Sequence, residues 1–97
     1  MDYRAALDVV YRALDDLNEL RSSSDRIAKS PDSRLTGVNG PLDSLALVTL
    51  AVTIERDVMD IAGREVMLFD EARVEENLLH FRSVQTLASF IAGRTNE

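Results

Sequence analysis

The stretch GPLDSLALVTLAVTIERDV, residues 40–58, decides how this chain is read. Gly40 and Pro41 close a polar loop, and from Leu47 onward aliphatic residues recur at helical spacing. Asp43 is a good N-cap, because its carboxylate can accept from the amides of the turn that follows. Ser44 then falls at the first helical position, with its hydroxyl outside the turn. The N–H groups of a first turn have no partners within their own helix, and the peptide dipoles add partial positive charge there. A phosphate esterified to Ser44 would lie in that anion site.

This second helix is expected to begin at Asp43-Ser44 and to run to about Asp60. Its core stripe is Leu47, Leu50, Ile54 and Val58, with Ile61 at the end. The opposite side of a surface helix is normally polar. Here Leu45, Val52 and Met59 recur on that side every seven residues, with Thr49 and Arg56 between them. A helix that is apolar on both sides is either deeply buried or docks something. In so small a domain full burial is difficult, so Leu45, Thr49, Val52, Arg56 and Met59 are read as a docking face.

On the N-terminal side, Tyr3, Leu7, Val10, Leu14 and Leu17 share one face of a first helix spanning about Asp2 to Leu20. Asp8, Arg12, Asp15, Asp16 and Glu19 fall on its wet side. From Arg21 to Pro41 the pattern dissolves into turn chemistry, including Ser22-Ser23-Ser24, Pro31 and Gly37. A short helical turn is expected around Ser24 to Lys29, with Ile27 inward. Leu35, Val38 and Leu42 should anchor this long loop, and Arg26, Lys29 and Arg34 should be solvated.

On the C-terminal side, Gly63 should end the second helix. Val66, Met67, Leu68 and Phe69 form an apolar strip expected to face inward. Asp70 can cap a short helix from Glu71 to about Leu79, anchored by Val74, Leu78 and Leu79, with Arg73, Glu75 and Glu76 outside. Ser83 can cap a last helix in which Val84, Leu87, Ala88 and Ile91 repeat, supported by Phe90. Gly93 should stop it and leave Arg94 to Glu97 frayed. The fold class is therefore all-α: a four-helix bundle with a long loop between helices 1 and 2 and a short third helix, in one domain over residues 1–97.

Composition narrows the function. Seventeen acids against 11 bases give a net charge of −6, and only one of the bases is lysine. An acidic chain with no basic stripe is a poor nucleic-acid binder. No apolar run approaches membrane-spanning length and MDYRAALD does not resemble a signal peptide, so no membrane insertion and a cytoplasmic location are expected. There is no cysteine, which excludes disulfides and zinc–thiolate sites. His80 is the only histidine and has no nucleophile at a motif spacing. The Asp15-Asp16, Asp70-Glu71 and Glu75-Glu76 pairs read as helix charges, and Met59 and Met67 as packing residues. No phosphate-binding glycine loop is present. No catalytic or metal site is expected, and an independent enzyme is the least favoured class.

The order long helix, long loop, long helix, short helix, medium helix, with D-S-L at the start of the second long helix, resembles the acyl carrier protein family. GPLDSLALVTLAVTIERDV resembles the modification site and second helix of that family, and SVQTLASFI, residues 83–91, resembles its fourth helix. The likeness covers nearly the whole chain. It implies a bundle of acyl-carrier type, and a monomeric, non-catalytic phosphoprotein. Ser44 would hold a covalent 4'-phosphopantetheine arm taken from coenzyme A by a phosphopantetheinyl transferase. Asp43 would help the transferase recognise the helix, and Leu45 would extend the contact surface. The arm's thiol would carry acyl groups as thioesters between acyl-loading and acyl-transferring enzymes, as in fatty acid or polyketide biosynthesis.

Family members in fatty acid synthesis usually show several acids on the exposed side of the second helix. This chain has Ala46 and Thr49 early, and Arg56 interrupts Glu55, Asp57 and Asp60. Docking is therefore expected to rely on Leu45, Val52 and Met59 more than on charge, which points to a specialised pathway. Two alternatives stay open: an aminoacyl or peptidyl carrier using the same arm, and an unmodified helical interaction module in which Ser44 is only structural.

Overall fold

The computed structural model describes residues 1–37, 40–68, 72 and 74–95, the side chains of Ser44 and Val74 apart. Four helices follow one another among the described residues: α1 (Tyr3–Glu19), α2 (Ser44–Ala62), α3 (Val74–His80) and α4 (Val84–Thr95). No strand forms among them; the one bridge joins Arg34 to Ser83. α1 packs against α4 and α2, and α3 packs against α4. No helix is long and apolar enough to cross a membrane among the described residues.

Asp2 starts α1 by accepting from the Ala5 amide at 2.8 Å. The buried face is Ala6, Val9, Val10, Ala13, Leu14 and Leu17. This arc is rotated from the expected one: Leu7 is only partly buried and Tyr3 is exposed. The small Ala6 and Ala13 occupy buried positions, and the bulkier Tyr3 and Leu7 are left toward the outside. Past α1 the chain turns at residues 22–25 rather than forming the expected helical turn through Lys29. Ile27 is nevertheless buried. The Asn18 amide grips its backbone twice, donating to the Ile27 carbonyl at 3.0 Å and accepting from its N–H at 2.8 Å. Lys29 is exposed, as expected, and its ammonium pairs with Asp15 at 3.1 Å.

Leu47, Leu50, Ile54 and Val58 of α2 are buried, joined by Ala51. Ile61 keeps the spacing of the stripe but is exposed, because it lies in the last turn of α2, where it lines an open groove with Asp15 and Asp16 of α1. Gly63 ends the helix at φ +66° and donates to the Met59 carbonyl at 3.0 Å.

Residues 64–68 are not helical, and burial alternates there: Val66 and Leu68 are inside, Met67 outside. Met67 therefore departs from the inward strip, as neighbours in a non-helical segment point opposite ways. α3 is described from Val74 to His80, and its expected start at Glu71 lies outside the described residues. Its inner side is Asn77, followed one turn later by Phe81, both buried, which turns Leu78 and Leu79 outward. The expectations placed on Val38, Phe69, Asp70, Glu71, Arg73 and the Val74 side chain lie outside the described residues, as do residues 96–97.

Ser83 and Thr86 cap α4 reciprocally: the Ser83 hydroxyl accepts from the Thr86 amide at 3.2 Å, and the Thr86 hydroxyl accepts from the Ser83 amide at 3.0 Å. Val84, Leu87, Ala88 and Ile91 are buried. α4 passes through Gly93, contrary to expectation, although glycine costs about 1 kcal/mol there relative to alanine. Its last turn is held from within by Thr95, whose buried hydroxyl donates to the Ile91 carbonyl at 3.0 Å, and from outside by Arg64, which donates to the Thr95 carbonyl at 2.7 Å.

The two faces of α2 should respond differently to truncation. Leu50→Ala or Ile54→Ala is expected to lose about 2–5 kcal/mol in urea unfolding, whereas Val52→Ala should stay within about 0.5 kcal/mol of the parent.

Candidate functional site

The start of α2 is the candidate site, and the loop before it determines where that start falls. Leu35 is fully buried. Its N–H donates to the Arg82 carbonyl at 2.9 Å and its carbonyl accepts from Leu42 at 3.0 Å. The Thr36 hydroxyl reaches the Phe81 carbonyl at 3.1 Å. Two amides of α4's entry, Val84 and Gln85, donate back to the carbonyls of Ser33 and Pro31 at 3.0 and 2.9 Å. The loop between α1 and α2 is thus stitched to the turn between α3 and α4. Between Leu35 and Leu42 the chain reverses tightly. Gly37 takes φ +87°, Gly40 donates to its carbonyl at 2.9 Å, and a methyl group at Gly40 would stand 2.5 Å from the Thr36 carbonyl carbon.

Asp43 follows Leu42 as N-cap, in extended conformation, and its carboxylate accepts from the Ala46 amide at 2.8 Å. The Asp43 carbonyl accepts the first helical bond, from Leu47 at 2.9 Å. Ser44 is the first residue of α2, as its sequence predicts, and its side chain lies outside the described ones. The Leu45 amide, next along, has no acceptor among the described residues. One orphan donor of the kind a helix start presents to an anion is therefore available here.

Leu45, Thr49, Val52, Arg56 and Met59 all come out exposed on α2, with Leu45, Val52 and Met59 at 77%, 57% and 51%. Met59 is thus part of this face and not a packing residue. Thr49 spends its hydroxyl on the Leu45 carbonyl at 2.9 Å. Val48, 41% exposed, extends the face beyond the residues expected there. The signal was present: position 48 is three residues from Leu45 and four from Val52, the spacing of neighbours on a helix surface.

The acids of α2 are drawn away from this face. Glu55 accepts from the Leu68 amide at 2.8 Å and so holds the chain leaving α2. Asp57 and Asp60 line a groove of about 360 Å³ with Arg12, Asp15, Asp16 and Ile61, between α1 and α2. No group of three or more His, Cys, Asp or Glu is placed to hold a metal ion among the described residues. His80 stacks on Phe90, ring centroids 3.8 Å apart and planes 8° from parallel, beside a groove of about 190 Å³ that also includes Met67 and Arg94. That contact gives His80 a packing role at the α3–α4 junction. Comparison with protein-family models, curated proteins and solved structures gives no match.

Two substitutions test how the site is built. Asp43→Ala removes the cap and should cost about 1 kcal/mol of unfolding free energy in urea. Gly40→Ala forces backbone apart at the reversal and should cost about 1–3 kcal/mol by the same measurement.

Proposed function

We propose that this protein is an acyl carrier: Ser44 accepts a 4'-phosphopantetheine arm, and the arm's thiol carries acyl intermediates as thioesters in a specialised biosynthetic pathway. The observation that carries the reading is the position of Ser44. It opens a long helix behind an Asp cap, at the end of a fastened loop, beside an exposed apolar face. The helix order of the resemblance, with its short third member, is also present.

On this reading the chain is the substrate of a phosphopantetheinyl transferase. The Ser44 hydroxyl oxygen forms a bond to the phosphorus that bears pantetheine in coenzyme A. The pyrophosphate bond breaks, adenosine bisphosphate leaves, and the hydroxyl proton passes to a base of the transferase or to water. The resulting phosphodiester carries one negative charge, which the helix start and the orphan Leu45 amide favour. Asp43 adds a carboxylate close by, but that group is turned onto the Ala46 amide. With no cysteine in the chain, no thiol of its own competes for the acyl group. The tether keeps the cargo at high effective concentration beside whichever enzyme has docked.

An aminoacyl or peptidyl carrier is the second reading. The absence of acids from the outer face of α2 favours keeping it, since such carriers resemble this chain there. Loading of the modified protein by an adenylating enzyme, with amino acids or with fatty acids, separates the two.

The decisive experiment is intact mass after incubation with coenzyme A and a broad-specificity phosphopantetheinyl transferase. The parent protein should gain the mass of one phosphopantetheinyl group, and Ser44→Ala should gain none while keeping its helical circular dichroism. An unmodified parent would rule out the carrier, and an interaction module would keep its activity in Ser44→Ala.

A further inference from the structure

The outer face of α2 carries one cation in an apolar setting, and that cation specifies what can cover it. Arg56 is four residues after Val52 and three before Met59, so it projects among them. It is exposed, and its guanidinium makes no hydrogen bond among the described residues; its ion pair there is a long one, with the Asp57 carboxylate 3.9 Å from Nε, which leaves the outer N–H groups to a partner. The other acids of the helix are engaged or turned elsewhere: Glu55 on the Leu68 amide, and Asp60 toward the groove with α1, which Asp57 also lines.

From this charge distribution we infer that the face docks a partner whose apolar patch carries a carboxylate, paired with Arg56. Under the carrier reading, on which the partner's identity rests, that partner is a loading or transfer enzyme. Covering Leu45, Val48, Val52 and Met59 is favourable because apolar area leaves water. The same covering strips water from the guanidinium, and a buried charge is costly unless it is paired and hydrogen-bonded. A carboxylate meets that need, since it can accept two parallel N–H bonds from the guanidinium. A lysine or arginine at the same place adds repulsion to the desolvation cost. The net charge of −6 attracts cationic surfaces at long range, but that attraction is screened over about 8 Å at physiological salt. At contact the local charge decides.

The test uses short amphipathic helical peptides that share a Leu/Phe stripe and differ only in carrying Glu, Gln or Lys at its centre. Each is titrated into the isotope-labelled, unmodified protein and followed by amide chemical shifts. The Glu peptide should perturb Leu45, Val48, Val52 and Met59 and bind on the order of tenfold more tightly than the Lys peptide. Arg56→Lys should retain this preference, and Arg56→Glu should reverse it. Equal affinities, a preference for the Lys peptide, absence of binding, or shifts confined to the groove with α1 would each overturn the inference. Because the protein is unmodified, failure of Ser44 to take the arm would remove the carrier reading alone. A protein that takes the arm but fails the peptide test would remove this inference alone.

Discussion

The hydrogen-bonded seam between the α1–α2 loop and the α3–α4 turn is the constraint on which the rest depends. A long irregular segment does not by itself fix where the next helix begins; closing it costs entropy and leaves its end free to shift. Here Ser33, Leu35, Thr36 and Pro31 are bonded to residues 81–85, and Leu42 is bonded back to Leu35. Leu35 and Phe81, both fully buried, hold the two sides together. Once Leu42 is placed, Asp43 is the next residue able to cap, and α2 starts where it does. The loop is thus part of the core, and the register of the candidate site follows from packing some distance from it.

With its start fixed, α2 divides its aliphatic residues between two tasks. Leu47, Leu50, Ala51, Ile54 and Val58 go to the core, and Leu45, Val48, Val52 and Met59 go to solvent. The division follows from the 100° advance of each residue, so a one-residue shift of the start would not move it; what moves is which residue stands at the first turn. The acids are sorted in the same way. Glu55 serves the chain that leaves the helix, and Asp57 and Asp60 join α1's acids in a groove. Four acids of α1 and α2 therefore share one groove, and Arg56 is the charged side chain within the exposed apolar face.

Helix starts were readable because capping is local chemistry. Asp43 and Ser83 act where their side chains predict, and Gly63 stops α2 at a left-handed residue. The core stripes of α2 and α4 were readable because large aliphatics mark them. α1 was harder: its core face runs through Ala6 and Ala13, and alanine is equally at home outside, so the larger Tyr3 and Leu7 pulled the expected arc to one side. Leu78, Leu79 and Met67 depart from the inward positions expected of them for a related reason. An apolar residue in a short or irregular segment has no periodicity to say which way it points, and Asn77 and Phe81 took the inner positions. Past Gly93, α4 ends on a bond from Arg64 to the Thr95 carbonyl, a contact between residues far apart in the chain that no local rule contains. At the candidate site, Ser44's place in the helix was legible, while the diversion of Glu55 to Leu68 was not, because it needs the chain's path after α2.

The cap and the proposed chemistry draw on the same small set of amides, and the way they are shared bears on both. A helix start offers several unpaired N–H groups. Asp43 takes the one at Ala46 and leaves the one at Leu45. A cap that used every donor would stabilise the helix and leave nothing for an anion; no cap would leave the start free to unwind, and with it the placement of Ser44. The stability of α2 rests instead on its inner stripe, and on its fastened entry and its left-handed exit. The outer face makes no comparable contribution, so residues there are free to answer to a partner. A change at Leu45, Val48, Val52, Arg56 or Met59 alters what this face presents to a partner without altering what folds.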